Sequence, residues 1–381
     1  FAKPPLGINT PETLLQLAER LLQEPRIAVD TESDSLHAYQ EKVCLLQFSI
    51  PDNDYLVDPL ALDNLDALAP VFASPTVEKV FHAADYDLIV LQRDYGLHCR
   101  QLFDTMWGGR ILGWEHVGLG DLLEEHFKIH ADKKFQRYNW GRRPVSSKAI
   151  TYARMDTHYL LKLRELELAE LKELGRWAEA QEIFHYLATN VQAPTPHSPE
   201  TSFWRIKGVH DLNLHEKQML YRLHLWREKR AQRLDRPPFK VLGCKRLIAL
   251  AQMHARSEKG LQAAGLTKHQ TRRFGPELLR ALRQGPQALP PYPPEPPRPP
   301  QLVLERYQTL RNWRKKVGSR RRVASDVILP NATLWDLAWH PPQTLEALLT
   351  VPGIGPWRQA HYGPDLLALL APTDSFFTSR H

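Results

Sequence analysis

Nowhere does the sequence run through apolar residues for the roughly 20 positions that cross a bilayer, and no basic-then-apolar leader precedes the first helical pattern. The expectation is a chain without a membrane partner. Cysteine is scarce: Cys44, Cys99 and Cys244 are scattered, with neither the density of a disulfide framework nor the paired spacing of a zinc site. A reducing compartment, the cytoplasm, fits that usage. At 381 residues the chain has room for two or three domains, each with its own core.

The net charge of +7 conceals two opposite halves. Residues 1–200 hold 20 Lys+Arg against 30 Asp+Glu, and residues 201–381 hold 30 against 13. Clustered carboxylates attract metal cations, while a basic surface binds phosphate chains by releasing their counterions. The division suits a nuclease with a separate nucleic-acid grip; the plainer reading is a basic half that serves solubility.

Short β-branched runs at 26–29, 43–50, 55–57 and 79–82 read as strands. Helical patterns fall at 11–22, 60–72, 87–95, 105–112 and 119–127, and a long one runs from Ser146 to Leu174. Interleaving of this kind implies an α/β domain. We expect it to span residues 1–192, followed by a proline-rich linker at 193–206. A first all-helical bundle is expected at 207–288, a polyproline spacer at 289–301 and a second bundle at 302–381. The bundles read as a duplication. Phe274–Gly275–Pro276 recurs as Tyr362–Gly363–Pro364 at an offset of 88, and Trp226–Arg227 as Trp313–Arg314 at an offset of 87. Trp226 and Trp313 read as core.

Three segments carry the chemistry. Asp30–Thr31–Glu32 ends a strand, so carboxylates two apart point at one spot. His82–Ala83–Ala84–Asp85–Tyr86–Asp87 lies where a strand gives way to a helix, and Tyr152 with Asp156 shares one helix face. Singly, each reads as well as a cap or a buried edge. Jointly, carboxylates without Cys or His spacing favour hard ions such as Mg²⁺ or Mn²⁺, and two such ions suit in-line phosphoryl displacement.

The order Asp-x-Glu, His-x-Ala-x-x-Asp, Tyr-x-x-x-Asp resembles the DEDD exonucleases of the tyrosine subtype. Phe103–Asp104–Thr105, the run 132–140, Arg143–Pro144 and the stretch 152–161 make residues 8–190 similar to ribonuclease D, and the bundles resemble its HRDC (helicase and RNase D C-terminal) domains. The resemblance implies a ribonuclease H-like domain with a mixed sheet and flanking helices. It implies metal ligation by Asp30, Glu32, Asp87 and Asp156, and an attacking water oriented by Tyr152. Asp85 then caps its helix and Asp104 is structural or outer-shell. It also implies 3′→5′ hydrolysis of RNA with an accessible 3′ end, transfer-RNA precursors among it, to 5′-mononucleotides with two divalent cations. We expect a monomer.

Around this site His82, Lys133, Gln136, Arg137, Trp140 and Arg143 are the candidate substrate contacts, with burial the alternative for Trp140 and strand termination for His82. Arg311, Arg314, Lys315, Lys316, Arg320, Arg321 and Arg322 in the second bundle, and Arg227, Lys229, Arg230, Arg233 and Arg236 in the first, are candidate RNA grips. Val351–Pro352–Gly353–Ile354–Gly355 lacks a Walker ending and reads as a turn before a helix. Two rivals stand beside this reading: a DNA exonuclease with the same carboxylates, and a non-catalytic binder on the same scaffold. The latter would have lost one of the five positions. Removal of 201–381 is expected to weaken RNA binding and spare slow trimming.

Overall fold

Thr10 opens the first helix by accepting from the Thr13 N–H while Thr13 reaches back to Thr10, with Pro11 at the first helical position. In the computed structural model, residues 3–130, 133–191, 198–253, 255–294 and 297–371 are described. The chain divides into two compact units, residues 1–32, 43–193 and 298–381 in one and residues 33–42 and 194–297 in the other.

The first unit is built on a mixed sheet of order β1-β4-β3-β2-β5-β6, comprising Leu6–Ile8, Arg26–Ser33, Val43–Ile50, Asn53–Val57, Glu78–Phe81 and Leu102–Asp104 as β1 to β6. β1 runs parallel to β4, β3 antiparallel to β4, and β2, β5 and β6 are parallel. Every residue of β3 is buried, as in a strand covered on both faces. The covering helices are α1 (Pro11–Leu22), α2 (Ala69–Ala73), α3 (Asp85–Tyr95), α4 (Thr105–Leu112), α5 (Leu119–Phe127), α6 (Ser147–His158), α7 (Leu160–Glu173) and α8 (Trp177–Thr189).

Several expectations are corrected. The long helix from Ser146 is two helices, parted at Tyr159, whose ring stacks on Phe127 at 5.6 Å. The stretch 60–72 breaks into two short 3₁₀ turns and the start of α2, and β1 and β6 carry no signal because three residues are too few for alternation to show. Asp30 and Glu32 lie inside β2 and not at its end. Residues 193–197 fall outside the described positions, but Pro199–Phe203, expected as linker, is helical (α9), and Phe203 and Ile206 are buried in the core of the first bundle.

That bundle continues with α10 (Leu214–Arg233), α11 (Pro238–Val241), α12 (Cys244–Met253), α13 (Glu258–Ala263) and α14 (Lys268–Arg283). Residues 33–42 belong with it: the Tyr39 N–H donates to Asp235 at 3.0 Å and its hydroxyl to Glu228 at 3.2 Å. The polyproline stretch is tied to it too, since Trp204 Nε1 donates to the Pro291 carbonyl and its ring packs edge-on against Tyr292.

The second bundle holds α15 (Gln301–Arg321), α16 (Ser325–Ile328), α17 (Asn331–Trp339), α18 (Leu345–Leu348) and α19 (Pro356–Leu370). Duplication extends to individual bonds. Trp226 Nε1 donates to Glu277 at 2.9 Å and Trp313 Nε1 to Asp365 at 3.1 Å; Arg227 donates to the Leu242 carbonyl and Arg314 to that of Leu329. Both tryptophans are half-buried and meet Phe274 and Tyr362 edge-on at 5.8 and 5.5 Å.

The second bundle shares a seam with α8. Arg321 meets Glu179 through both guanidinium nitrogens at 2.7 and 2.5 Å, and Glu182 accepts from the N–H groups of Trp357 and Arg358, capping α19 from another domain. A Cβ on Gly355 would meet Glu182 at 2.5 Å, which accounts for glycine there.

Candidate active site

Tyr152, Arg154, Asp156 and His158 occupy one helix, and the 100° step per residue sends them to two faces. On the inner face, Asp54 of β4 accepts from Ser49 Oγ at 2.6 Å, from His158 Nδ1 at 2.9 Å and from Arg154 Nε. Burial alone would raise the Asp54 carboxyl, but the bonds from His158, Ser49 and Arg154 hold it below its ordinary value. This network, which the sequence did not announce, fixes α6 against the sheet and aims Tyr152 and Asp156 the other way.

Asp30 and Glu32 of β2 and Asp156 of α6 converge there. Each offers a carboxylate oxygen, and the three lie within 4.8 Å of one another. Asp87 of α3 stands beside them, its Oδ1 accepting from the Thr31 N–H at 3.1 Å and from the Thr31 hydroxyl. Thr31 was passed over in the sequence, where nothing distinguishes it from any strand threonine. Asp104, fully buried, accepts from the Ala83 and Ala84 N–H groups at 3.2 and 2.7 Å and from that of Trp107, bracing the turn where Ala83 adopts a φ of 60°. It is thus structural. Asp85 is the first residue of α3 and forms no side-chain cap, so the expected capping role is withdrawn.

Electrostatics mark the cluster. None of its four carboxylates forms an ion pair among the described residues. Burial, then Asp87, Asp156 and Glu32, push Asp30 well above the usual carboxylate range. Burial, then Asp156 and Asp87, raise Glu32 to about 9; burial raises Asp87 to about 7 against the Thr31 bonds, and burial and Asp87 raise Asp156 to about 7. Burial and the surrounding carboxylates raise the Tyr152 phenol, which therefore keeps its proton. Four carboxylates at one place can ionise together only beside a cation. An all-oxygen donor set without Cys or His fits a hard divalent ion, the kind of cofactor the DEDD exonucleases use.

Of the expected substrate contacts, His82 and Gln136 line a cavity of about 270 Å³ with Gly118, Leu119, Gly120, Asp121, Tyr152 and Asp156. Arg137 is exposed, and the side chain of Lys133 lies outside what is described. Two are corrected. Trp140 is 2% exposed, packed with Cys44, Leu45, Leu56 and Ala153 behind Tyr152, so its ring cannot stack on a base. Arg143 is consumed internally, bidentate to Asp58 at 2.6 Å and bonded to the Cys44 and Trp140 carbonyls. Arg314 is likewise a brace, whereas Lys315 and Lys316 are exposed.

Comparison with known proteins agrees with this architecture. Residues 5–169 match the 3′-5′ exonuclease family, and residues 216–282 and 303–370 each match the HRDC domain. The exosome complex exonuclease RRP6 of Saccharomyces cerevisiae is 35% identical over 282 residues, covering 70% of this chain and 38% of the yeast protein. The chain spans well under half the length of the curated relatives it matches. The catalytic core of RRP6 from Trypanosoma brucei aligns with a TM-score of 0.65 at 27% identity, over 74% of this chain and 80% of that one. Escherichia coli RNase D aligns over 97% of this chain and 99% of its own with a TM-score of 0.65, and at 24% identity it shows a shared fold. The chain therefore carries a 3′-5′ exonuclease domain on this sheet followed by two HRDC domains, and is similar to ribonuclease D-like exonucleases.

Proposed function

We propose that this chain is a 3′→5′ exoribonuclease that releases 5′-mononucleotides from RNA with an accessible 3′ end, transfer-RNA precursors among its substrates. The observation that carries the reading is the convergence of Asp30, Glu32 and Asp156 within 4.8 Å, with Asp87 beside them and no ion pair to offset them among the described residues. Asp30, Glu32, Asp87 and Asp156 would hold two divalent cations, Mg²⁺ or Mn²⁺. When bound, such ions lower the pKa of water and stabilise the charge on the departing 3′ oxygen. The chain's own residues do the rest. Tyr152, protonated and backed by the rings of Phe135 at 5.6 Å and Trp140 at 6.3 Å, donates toward the attacking water and holds it in line. Gln136 meets the nucleotide within the same cavity, and Arg137 holds the strand outside it.

The first bundle supplies the grip. Lys229, Arg233 and Arg280 are exposed around a groove of about 430 Å³ that Arg222, Trp226 and Arg230 also line, a cationic surface suited to phosphates. A groove of about 500 Å³ on the second bundle counts Arg311, Arg314 and Lys315 among its lining, and Arg314 is spent on a carbonyl. A cytoplasmic monomer completes the proposal; Cys44, Cys99 and Cys244 form no disulfide among the described residues, and no described helix is long and apolar enough to cross a membrane.

A time course on a 3′-overhang RNA with Mg²⁺, Mn²⁺ or chelator tests polarity, product and metal need together. Asp30→Asn with Asp156→Asn is expected to lower the rate by roughly 10³-fold or more, the scale of losing preorganised charge stabilisation. Undiminished mononucleotide release by that variant would overturn the site. Faster digestion of a matched DNA oligonucleotide would favour the DNA exonuclease.

A further inference from the structure

His82 has no part in the chemistry above, yet its ring lines the same cavity as Gln136, Tyr152 and Asp156. Its other edge is tied down. His82 Nδ1 lies 2.9 Å from Thr105 Oγ1, and that hydroxyl donates its single proton to the Phe81 carbonyl at 3.1 Å. Thr105 therefore meets the imidazole as an acceptor, so Nδ1 carries the hydrogen. Thr105 is fully buried, which keeps water from competing for either bond. In a neutral imidazole the second nitrogen is then bare, and Nε2 has no hydrogen-bond partner among the described residues. Burial of the ring favours that neutral form.

A fixed lone pair repels phosphate oxygens and accepts from a hydroxyl. That argues against His82 as a contact to the scissile phosphate. Beside Tyr152 and Asp156 a nucleic-acid 3′ end offers hydroxyl donors on its sugars: the terminal 3′-OH in either polymer, and 2′-OH groups in RNA alone. We propose that His82, its tautomer set by Thr105, accepts a hydrogen bond from a ribose hydroxyl of a nucleotide flanking the scissile bond. The pair thereby reads the sugar and not the base. Thr105 acts through His82 and is a positioning residue.

This inference rests on the reading of the chain as an exoribonuclease, and the test separates the two. Single-turnover rates with Mg²⁺ are measured on four RNA oligomers: all-ribose, 2′-deoxy at the last nucleotide, 2′-deoxy at the next, and 3′-deoxy at the last. The wild-type chain is expected to slow roughly tenfold on one of the three altered substrates, the scale of one hydrogen bond lost with its partner left unpaired. His82→Leu should slow by a similar factor on all-ribose RNA and be indifferent to that same alteration, so that the two losses do not multiply. His82→Gln and Thr105→Ser should retain the preference, and Thr105→Val should lose it. Equal wild-type rates on all four oligomers would overturn the proposal. So would a His82→Leu defect that leaves the wild-type ratios intact, since that marks a structural role. Absence of Mg²⁺-dependent release from all-ribose RNA by the wild-type chain would instead sink the parent reading, and this one with it.

Discussion

Two regions of the first unit bury carboxylates and treat them in opposite ways. Along α8, Glu179 is fully buried and both oxygens meet Arg321, while Glu182 takes two backbone N–H groups and lies 3.6 Å from the Arg358 guanidinium. Across β2 and α6, Asp30, Glu32 and Asp156 gather with no ion pair among the described residues. A buried carboxyl must be paired, protonated or met by a cation from outside. Glu167 shows the second solution: fully buried beside Gly108 with neither oxygen hydrogen-bonded among the described residues, it is pushed well above the carboxylate range by burial. Residue type does not distinguish a structural carboxylate from a ligand. Whether the fold supplies the opposite charge does.

The contrast can be broken most sharply at the seam. Arg321→Met leaves Glu179 buried without its partner and is expected to cost about 3–5 kcal/mol in a denaturant melt of the full chain, with Arg321→Met plus Glu179→Gln recovering much of it. Unchanged stability in the single variant would mean that the seam is not a paired site. It also changes what truncation does. Removing 201–381 deletes Arg321 and Arg358, so such a fragment should lose stability as well as RNA affinity, and the expectation of spared trimming is revised accordingly.

A smaller effect should appear at the catalytic face. Carboxyls whose folded pKa is raised contribute stability that is full below their unfolded value near 4 and fades as pH rises through the folded values of about 7 for Asp87 and Asp156 and about 9 for Glu32. In chelator, Tm is therefore expected to fall by a few degrees between pH 5 and pH 9, and Mg²⁺ should restore it by binding the folded state. A Tm that rises over that range and ignores Mg²⁺ would show that the cluster is not strained by like charge. Smallest of all, Lys229→Gln, Arg233→Gln and Arg280→Gln should each lower the slope of log affinity against log salt by about 1. The same slope change from Arg314→Gln would contradict its assignment as a brace.

Much of this was legible beforehand because it depends on local spacing. The carboxylates of Asp30 and Glu32 share a strand face, Tyr152 and Asp156 share a helix face, and the 87–88-residue offset exposed the duplicated bundles, to which the structure adds the matching tryptophan hydrogen bonds. What misled was charge and aromaticity read without partners. Arg143 and Arg314 resembled RNA contacts until Asp58 and the Leu329 carbonyl were seen to occupy them, and Trp140 resembled a stacking platform until it proved to be the floor under Tyr152.

The sequence by itself determined the periodic elements, the order of the acidic motifs and the duplication, since each is a matter of neighbours along the chain. Only the tertiary structure decided which charges are free to act. Pairing is a property of space: Glu179 finds Arg321 and Asp54 finds Arg154 across 142 and 100 residues. No pattern read along the chain foretells such distant pairs. The same holds for the tautomer of His82, which is set by a hydroxyl 23 positions away.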